Sequence, residues 1–138
     1  MNTTVTRKKD INTGWHLIDA QKETLGRVST KIASYLMGKH KVTFTPNLVM
    51  GDKVVVINSD KLKLTGKKVK NKNYYTHSGY HSGLKVRNAE YYLQKDSTFI
   101  IKSAVSGMLP KNKLRDLFLK NLYVYKDSNH PHTQISNK

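Results

Sequence analysis

Apolar residues cluster at Trp15-His16-Leu17-Ile18-Asp19-Ala20, and from Leu25 they recur every three or four positions, at Val28, Ile32 and Leu36, until Gly38 interrupts them. The first pattern predicts a strand. The second predicts an amphipathic helix that starts after Thr24 as its cap and stops at Gly38. Val54-Val55-Val56-Ile57 is a β-branched run with no polar alternation, which suits a strand buried on both faces as in a parallel sheet; Asn58-Ser59-Asp60 stops it. Leu62 to Gly66 predicts a short strand and turn. Ala89 to Gln94 predicts a short helix, and Ile101, Ala104, Val105 and Met108 a second amphipathic face closed by Gly107 and Pro110. Leu114, Leu117 and Phe118 continue a third, and Leu122 to Tyr125 reads as a last strand. Strands alternating with helices predict an α/β domain with a mostly parallel sheet. Residues 1–14 lack apolar periodicity and carry Arg7, Lys8 and Lys9, so they read as an extended basic arm that orders on a partner. A single domain is expected over 15–126 and a polar tail over 127–138, with no internal repeat or linker between them.

Charge changes this picture most. The 138 residues hold 25 Lys and Arg against 9 Asp and Glu, a formal net charge of +16 and a pI near 10.0. Between Asp60 and Glu90 stand Lys61, Lys63, Lys67, Lys68, Lys70, Lys72, Lys85 and Arg87 with no acid, interleaved with Tyr74, Tyr75, His77, Ser78, Gly79, Tyr80, His81 and Gly83. Cations release counterions from a polyanion, tyrosines offer flat faces to unpaired bases, and glycines let the backbone approach a sugar-phosphate strand. This stretch predicts a basic loop facing nucleic acid. The acids are scattered singly, so no patch is available to receive a basic protein. No apolar run approaches the ~20 residues that span a bilayer, and mean hydropathy is −0.62, so no membrane role is expected. One domain of this length sustains its own core. With no cysteine, disulfides and thiolate metal sites are excluded. No apolar signal segment follows Met1, so the cytoplasm is the expected compartment.

Catalytic patterns fail on composition. Thr65-Gly66-Lys67-Lys68 resembles part of a phosphate loop, but Lys61 stands where the motif's earlier glycine belongs and Lys68 where its magnesium-binding Ser or Thr belongs. His77 and His81 have i, i+4 spacing, yet Ser78-Gly79-Tyr80 between them disfavours a helix and no carboxylate lies nearby in sequence. Pro131 splays His130 and His132 apart, so these two read as polar contacts of the tail. Paired acids for general acid/base or two-metal chemistry are absent. No metal, cofactor or small-molecule substrate is expected. A nucleic-acid-processing or nucleotide-binding enzyme and an architectural DNA-binding protein remain the alternatives.

Several blocks, in order, are recognisable. Gly38-Lys39-His40-Lys41 with Thr45-Pro46, then Gly51-Asp52, Val54-Val55-Val56-Ile57-Asn58, Asp60-Lys61 and Leu64-Thr65-Gly66-Lys67 are followed by Tyr74-Tyr75-Thr76-His77-Ser78-Gly79 and Gly83-Leu84-Lys85. Gly107-Met108-Leu109-Pro110-Lys111-Asn112-Lys113-Leu114, Val124-Tyr125 and His130-Pro131-His132 complete the series. Together they resemble the large-subunit ribosomal protein number thirteen family, bacterial type, from about Trp15 to His132.

That resemblance implies a non-catalytic component of the large ribosomal subunit that binds large-subunit rRNA, contacts neighbouring ribosomal proteins and acts early in subunit assembly. It implies a three-layer α/β/α fold on a four-stranded parallel sheet. RNA contacts would then come from Lys39, His40, Lys41 and Thr45 in the Gly38–Pro46 turn, from Lys67, Lys68, Lys70, Lys72, Tyr74, Tyr75, His77, Ser78, Gly79, Lys85 and Arg87 in the basic loop, from Lys111, Lys113 and Arg115, and from His130 and His132. The chain departs from the family pattern at Arg115-Asp116, where glycine then arginine is usual, and at Asn47, Val49, His81 and Ser82. Trp15, Tyr35, Phe44, Phe99 and Phe118 lie on or beside apolar segments and are expected in the core, with Met108 and Leu109 packing rather than wedging against RNA.

Overall fold

The computed structural model describes residues 6–132. The expectations for 1–5 and for 133–138 lie outside the described residues. Three strands, β1 (Trp15–Asp19), β2 (Lys53–Ile57) and β5 (Leu122–Val124), form a parallel sheet in the order β1-β2-β5. Registers Leu17↔Val55↔Tyr123 and Ile18↔Val56↔Val124 run across it. The helices are α1 (Leu25–Met37), α2 (Lys68–Asn71), α3 (Ala89–Lys95), α4 (Ser97–Met108) and α5 (Arg115–Lys120), and an antiparallel pair, β3 (Asn73–His77) with β4 (Leu84–Asn88), stands apart from the sheet.

The core follows from the periodicities. Val28, Ile32, Ala33 and Leu36 of α1 meet Ile100, Ile101 and Val105 of α4 over Val54, Val56 and Leu122, all buried, with Leu109 and Phe118 sealing one end. Alternation along β2 turns Val55 to the opposite face, where Leu17 and Tyr123 flank it. There the covering is aromatic: Trp15 stacks on Tyr123 at 5.8 Å, and the His132 ring lies 4.6 Å from Tyr123 and 5.0 Å from Trp15. β2 is thus buried on both faces, as its unbroken apolar run requires.

The α/β class and the parallel sheet stand as expected, with differences in detail. The parallel sheet has three strands where four were expected. Leu62–Leu64 contributes only an isolated parallel bridge between Thr24 and Lys63, because the chain turns away at once through Gly66 at φ +63°. The basic loop is largely ordered as α2 and the β3–β4 hairpin; its Tyr75↔Val86 pair supplies the β-branched and aromatic residues that strands favour. The arm is not wholly extended: Lys8–Asp10 forms a 3-10 turn, and the Thr6 hydroxyl donates to the Thr43 carbonyl at 3.3 Å. α1 begins after Thr24, but the threonine side chain makes no capping bond. The true side-chain caps are Asn88 Oδ1, which accepts from Tyr91 N–H ahead of α3, and Asp96, which accepts from Thr98 N–H ahead of α4.

Candidate nucleic-acid interface

Two surfaces gather the residues that the sequence singled out. The larger is built on 61–88. Tyr74 fixes it to the core: its ring meets Tyr92 edge-on at 5.3 Å and Phe99 at 5.5 Å, while Tyr92 stacks on Phe99 at 4.2 Å. Burial pushes the Tyr74 phenol above its usual titration range, with Tyr92 adding to the shift, and its buried hydroxyl has no protein partner. The Ala89 N–H donates to the Lys72 carbonyl at 2.8 Å and closes the base of the hairpin. Beyond that base both faces are open. Tyr75 is 65% exposed and Tyr80 81%. Cross-strand pairing puts Tyr75, Val86, His77 and Leu84 on one face and Thr76, Lys85 and Arg87 on the other.

Lys67, Lys68, Lys70, Lys72, Lys85 and Arg87 are exposed, and among the described residues none of them forms a salt bridge. Their field is therefore uncompensated by protein. Lys72 lies over the Tyr74 ring at 5.4 Å and Arg87 over Tyr91 at 4.7 Å, which orients the cations without neutralising them. A cleft of about 460 Å³ joins this surface to the N-terminus of α1; Thr24, Leu25 and Gly26 line it beside Lys63, Lys68 and Lys72. A helix start without a side-chain cap, in a cleft also lined by three lysines, attracts anions.

His77, Ser78 and Gly79 sit at the hairpin's tip. His77 Nδ1 accepts the Gly79 N–H at 2.9 Å, and Gly79 takes φ +87° to make that turn. The imidazole is therefore a turn element, with no carboxylate against it among the described residues. His81 is exposed on the same turn.

The second surface surrounds the turn after α1. Lys39 and His40 are both exposed, but His40 and Lys41 direct their side-chain nitrogens to Asp52. Asp52 is buried, and both of its oxygens are engaged. Oδ1 accepts the Gly14 N–H at 2.8 Å and lies 2.5 Å from Lys41 Nζ; Oδ2 lies 2.8 Å from His16 Nε2 and 2.8 Å from His40 Nε2. Lys41 also donates to the carbonyls of Asn12 and Met50. Burial alone would raise the Asp52 pKa, yet the bonds from Lys41, Gly14 and His16 and the Lys41 charge hold it well below the usual carboxylate range. Thr45 turns its hydroxyl to Met50 Sδ at 3.2 Å. Sequence reasoning missed His16 and Asp52 because 36 residues separate them, and only the parallel pairing of β1 with β2 brings them together.

Lys111 and Lys113 are exposed between α4 and α5, and Arg115 is half-buried at the start of α5. His132 Nε2 bonds the Tyr125 hydroxyl at 2.9 Å, and the His130 ring lies 6.4 Å from that of His132. Both histidines pack near the sheet's aromatic face, His132 against Tyr123 and Tyr125 and His130 beside Tyr125. Leu109 is buried as expected, whereas Met108 is 43% exposed at the end of α4.

The family model described as ribosomal protein L13 matches residues 13–131. The chain belongs to the ribosomal protein L13 family. It is 50% identical over 130 residues to the large ribosomal subunit protein uL13 of Mycoplasmopsis synoviae, covering 94% of this chain and 90% of that one. The uL13 protein of Syntrophotalea carbinolica is likewise 50% identical, over 96% of this chain and 93% of its own. That of Mesomycoplasma hyopneumoniae is 46% identical over 94% and 90%. These L13 relatives span both described surfaces. No helix of the described residues is long and apolar enough to cross a membrane.

Proposed function

We propose that this L13-family chain is a structural constituent of the large ribosomal subunit, in the cytoplasm, where it binds large-subunit rRNA, meets neighbouring ribosomal proteins and acts early in assembly without catalysing a reaction. The observation that carries the reading is the row of unpaired cations, Lys67, Lys68, Lys70, Lys72, Lys85 and Arg87, on an ordered hairpin held to the core through Tyr74. A rigid platform of uncompensated charge fixes phosphate positions, whereas a loose chain only attracts them. Tyr75 and His77 stand on the same hairpin and offer a stacking face and a polar edge to unpaired bases.

The α1 cleft with Lys63, Lys68 and Lys72 supplies a phosphate seat beside the hairpin, and Lys39, Lys111, Lys113 and Arg115 reach other RNA segments. His40, Lys41 and Thr45 act through the shape of their turn, because their polar atoms are directed to Asp52 and Met50. His130 and His132 belong to the tail contact. Gripping several RNA segments at once on one frame favours a single rRNA fold, which is how such a protein assists assembly before its neighbours arrive.

Sedimentation tests the assignment. The protein is expected in large subunits washed at moderate salt; absence from them would sink it. Competition separates the architectural DNA alternative: folded rRNA fragments should displace bound rRNA far better than duplex DNA of matched length, since A-form minor grooves and unpaired loops suit the hairpin.

A further inference from the structure

His16, His40 and Asp52 come from β1, from the turn after α1 and from the residue before β2, yet one ligand atom from each lies within 4.8 Å of the others. Both Nε2 atoms aim at the same carboxylate oxygen, Oδ2, at 2.8 Å each. The other oxygen is already held by the Gly14 N–H and Lys41. The imidazole side chains are 32% and 30% exposed, against 5% for Asp52. Two imidazole nitrogens and one carboxylate oxygen thus converge from the protein side and leave the solvent side open.

We propose that His16, His40 and Asp52 form a site for a borderline divalent transition metal, Zn²⁺ fitting best, with water in the remaining position. Three protein ligands of this kind and one open position make a common four-coordinate zinc arrangement. Zn–N bonds of about 2.0–2.1 Å at tetrahedral angles put neighbouring ligand atoms about 3.3 Å apart. The two N···O contacts therefore open by about half an ångström, while the two imidazole nitrogens, within 4.8 Å of each other, close by up to about 1.5 Å through rotation of the partly exposed rings. Each imidazole presents its Nε2 lone pair to a metal when its proton resides on Nδ1.

The surroundings are those of an outer ligand shell. Gly14 and Lys41 fix Oδ1 so that Oδ2 stays aimed, as hydrogen-bonded ligand carboxylates are in metal sites. Tyr35 stacks on the His16 ring at 4.1 Å and meets the His40 ring edge-on at 5.2 Å, which sets both ring planes. Its carbonyl accepts the Asp52 N–H at 3.0 Å, so all three ligands are tied to the end of α1.

Charge sets the selectivity. Lys41 beside the carboxylate and a net charge of +16 work against any cation held by electrostatics alone. Mg²⁺, which prefers an octahedral oxygen shell, is excluded on both counts, whereas the nitrogen ligands favour Zn²⁺, Co²⁺ and Ni²⁺. Occupancy would clamp β1, the turn carrying Lys39 and the start of β2 to one another.

The full chain, stripped with a chelator, is titrated with Zn²⁺ by calorimetry and with Co²⁺ by visible absorption. The expected result is one saturable equivalent per chain, a Co²⁺ spectrum of four-coordinate type displaced by Zn²⁺, and a higher Tm with Zn²⁺ but none from millimolar Mg²⁺. His16→Phe keeps a ring on Tyr35 but removes the ligand, and His40→Asn removes the other. Each is expected to weaken binding at least tenfold, whereas the double variant His77→Asn with His81→Asn is not. Absence of a saturable equivalent in the unsubstituted chain overturns the proposal whether or not the variants fold. So does one that survives both His16→Phe and His40→Asn, or one that vanishes with the His77 and His81 pair.

Discussion

Gly51 lies so close to Leu36 that a Cβ on it would fall 1.6 Å from the Leu36 carbonyl oxygen. Backbone meets backbone there, so no side chain can swing aside to make room. The Gly38 turn is close too, though less so: it takes φ +79°, and a Cβ there would sit 3.0 Å from the Met50 carbonyl. The last turn of α1 is thereby joined to 50–52, which places Asp52 under His16, His40 and Lys41. Gly51→Ala is expected to cost more than about 3 kcal/mol, at the high end for single substitutions, because helix and strand must separate to admit a methyl group. Urea denaturation measures it, and a loss below about 1 kcal/mol would show that the contact yields easily.

The sheet and its helical face were legible in the sequence because their signals are local. Val54-Val55-Val56-Ile57 can be little but a buried strand, and the spacing of Val28, Ile32 and Leu36 gives the face that packs on it. The single-residue bridge at Lys63 was not legible, since nothing in Leu62 to Gly66 says how many residues pair. Nor was the hairpin: the Tyr75 to Arg87 segment is largely exposed, and its order derives from Tyr74 packing on Tyr92 and Phe99. The cations could be counted from the sequence, but which were free could not. Lys39 and Lys41 are two residues apart and read alike, yet one is exposed and the other is bound to Asp52. That difference depends on Asp52, eleven residues beyond Lys41 in the sequence and brought close only by the docking of 50–52 on α1.

Because Asp52 is held ionised in the folded state, its pKa there lies below its unfolded value near 3.8. A depressed carboxylate stabilises the fold above the unfolded pKa, and that contribution is lost as pH falls toward the folded one. Chelator-treated protein should therefore lose stability progressively below about pH 4. Asp52→Asn should be less stable at neutral pH and should show a shallower decline on acidification. Denaturation midpoints between pH 7 and 2.5 supply the comparison, and parallel profiles would mean that other carboxylates govern acid unfolding.

Tyr74 and Tyr75 are adjacent but face opposite ways, so their alanine variants should fail differently. Tyr74→Ala removes the ring that anchors the hairpin and should destabilise the fold by about 2 kcal/mol, less than the ~3–5 kcal/mol of a wholly buried aromatic. Tyr75→Ala should change stability by less than about 0.5 kcal/mol and weaken rRNA binding by about 1–3 kcal/mol if a base stacks on it. Thermal melts and filter binding on the two variants make the test. Equal effects on affinity at unchanged stability would mean that Tyr74 is not the anchor.

The salt dependence of rRNA binding distinguishes free cations from engaged ones. Each phosphate neutralised adds about −0.7 to −0.9 to the slope of log affinity against log salt, because a condensed counterion is released. Lys67, Lys68 and Lys70 are exposed and free of salt bridges among the described residues. Replacing all three by alanine should make the slope shallower by about 2 while leaving the melting temperature nearly unchanged. Lys41→Ala removes one cation too, but one already bound to Asp52 and to the carbonyls of Asn12 and Met50. It should lower stability, since it strips a buried carboxylate of its cation, and leave the slope within error of the parent. Binding titrations from 50 to 300 mM salt, run beside melts of the same preparations, separate the two cases. A triple variant with an unchanged slope would move the RNA contact away from the hairpin, and a Lys41 variant with a shallower slope would show that this lysine leaves Asp52 for phosphate when RNA binds.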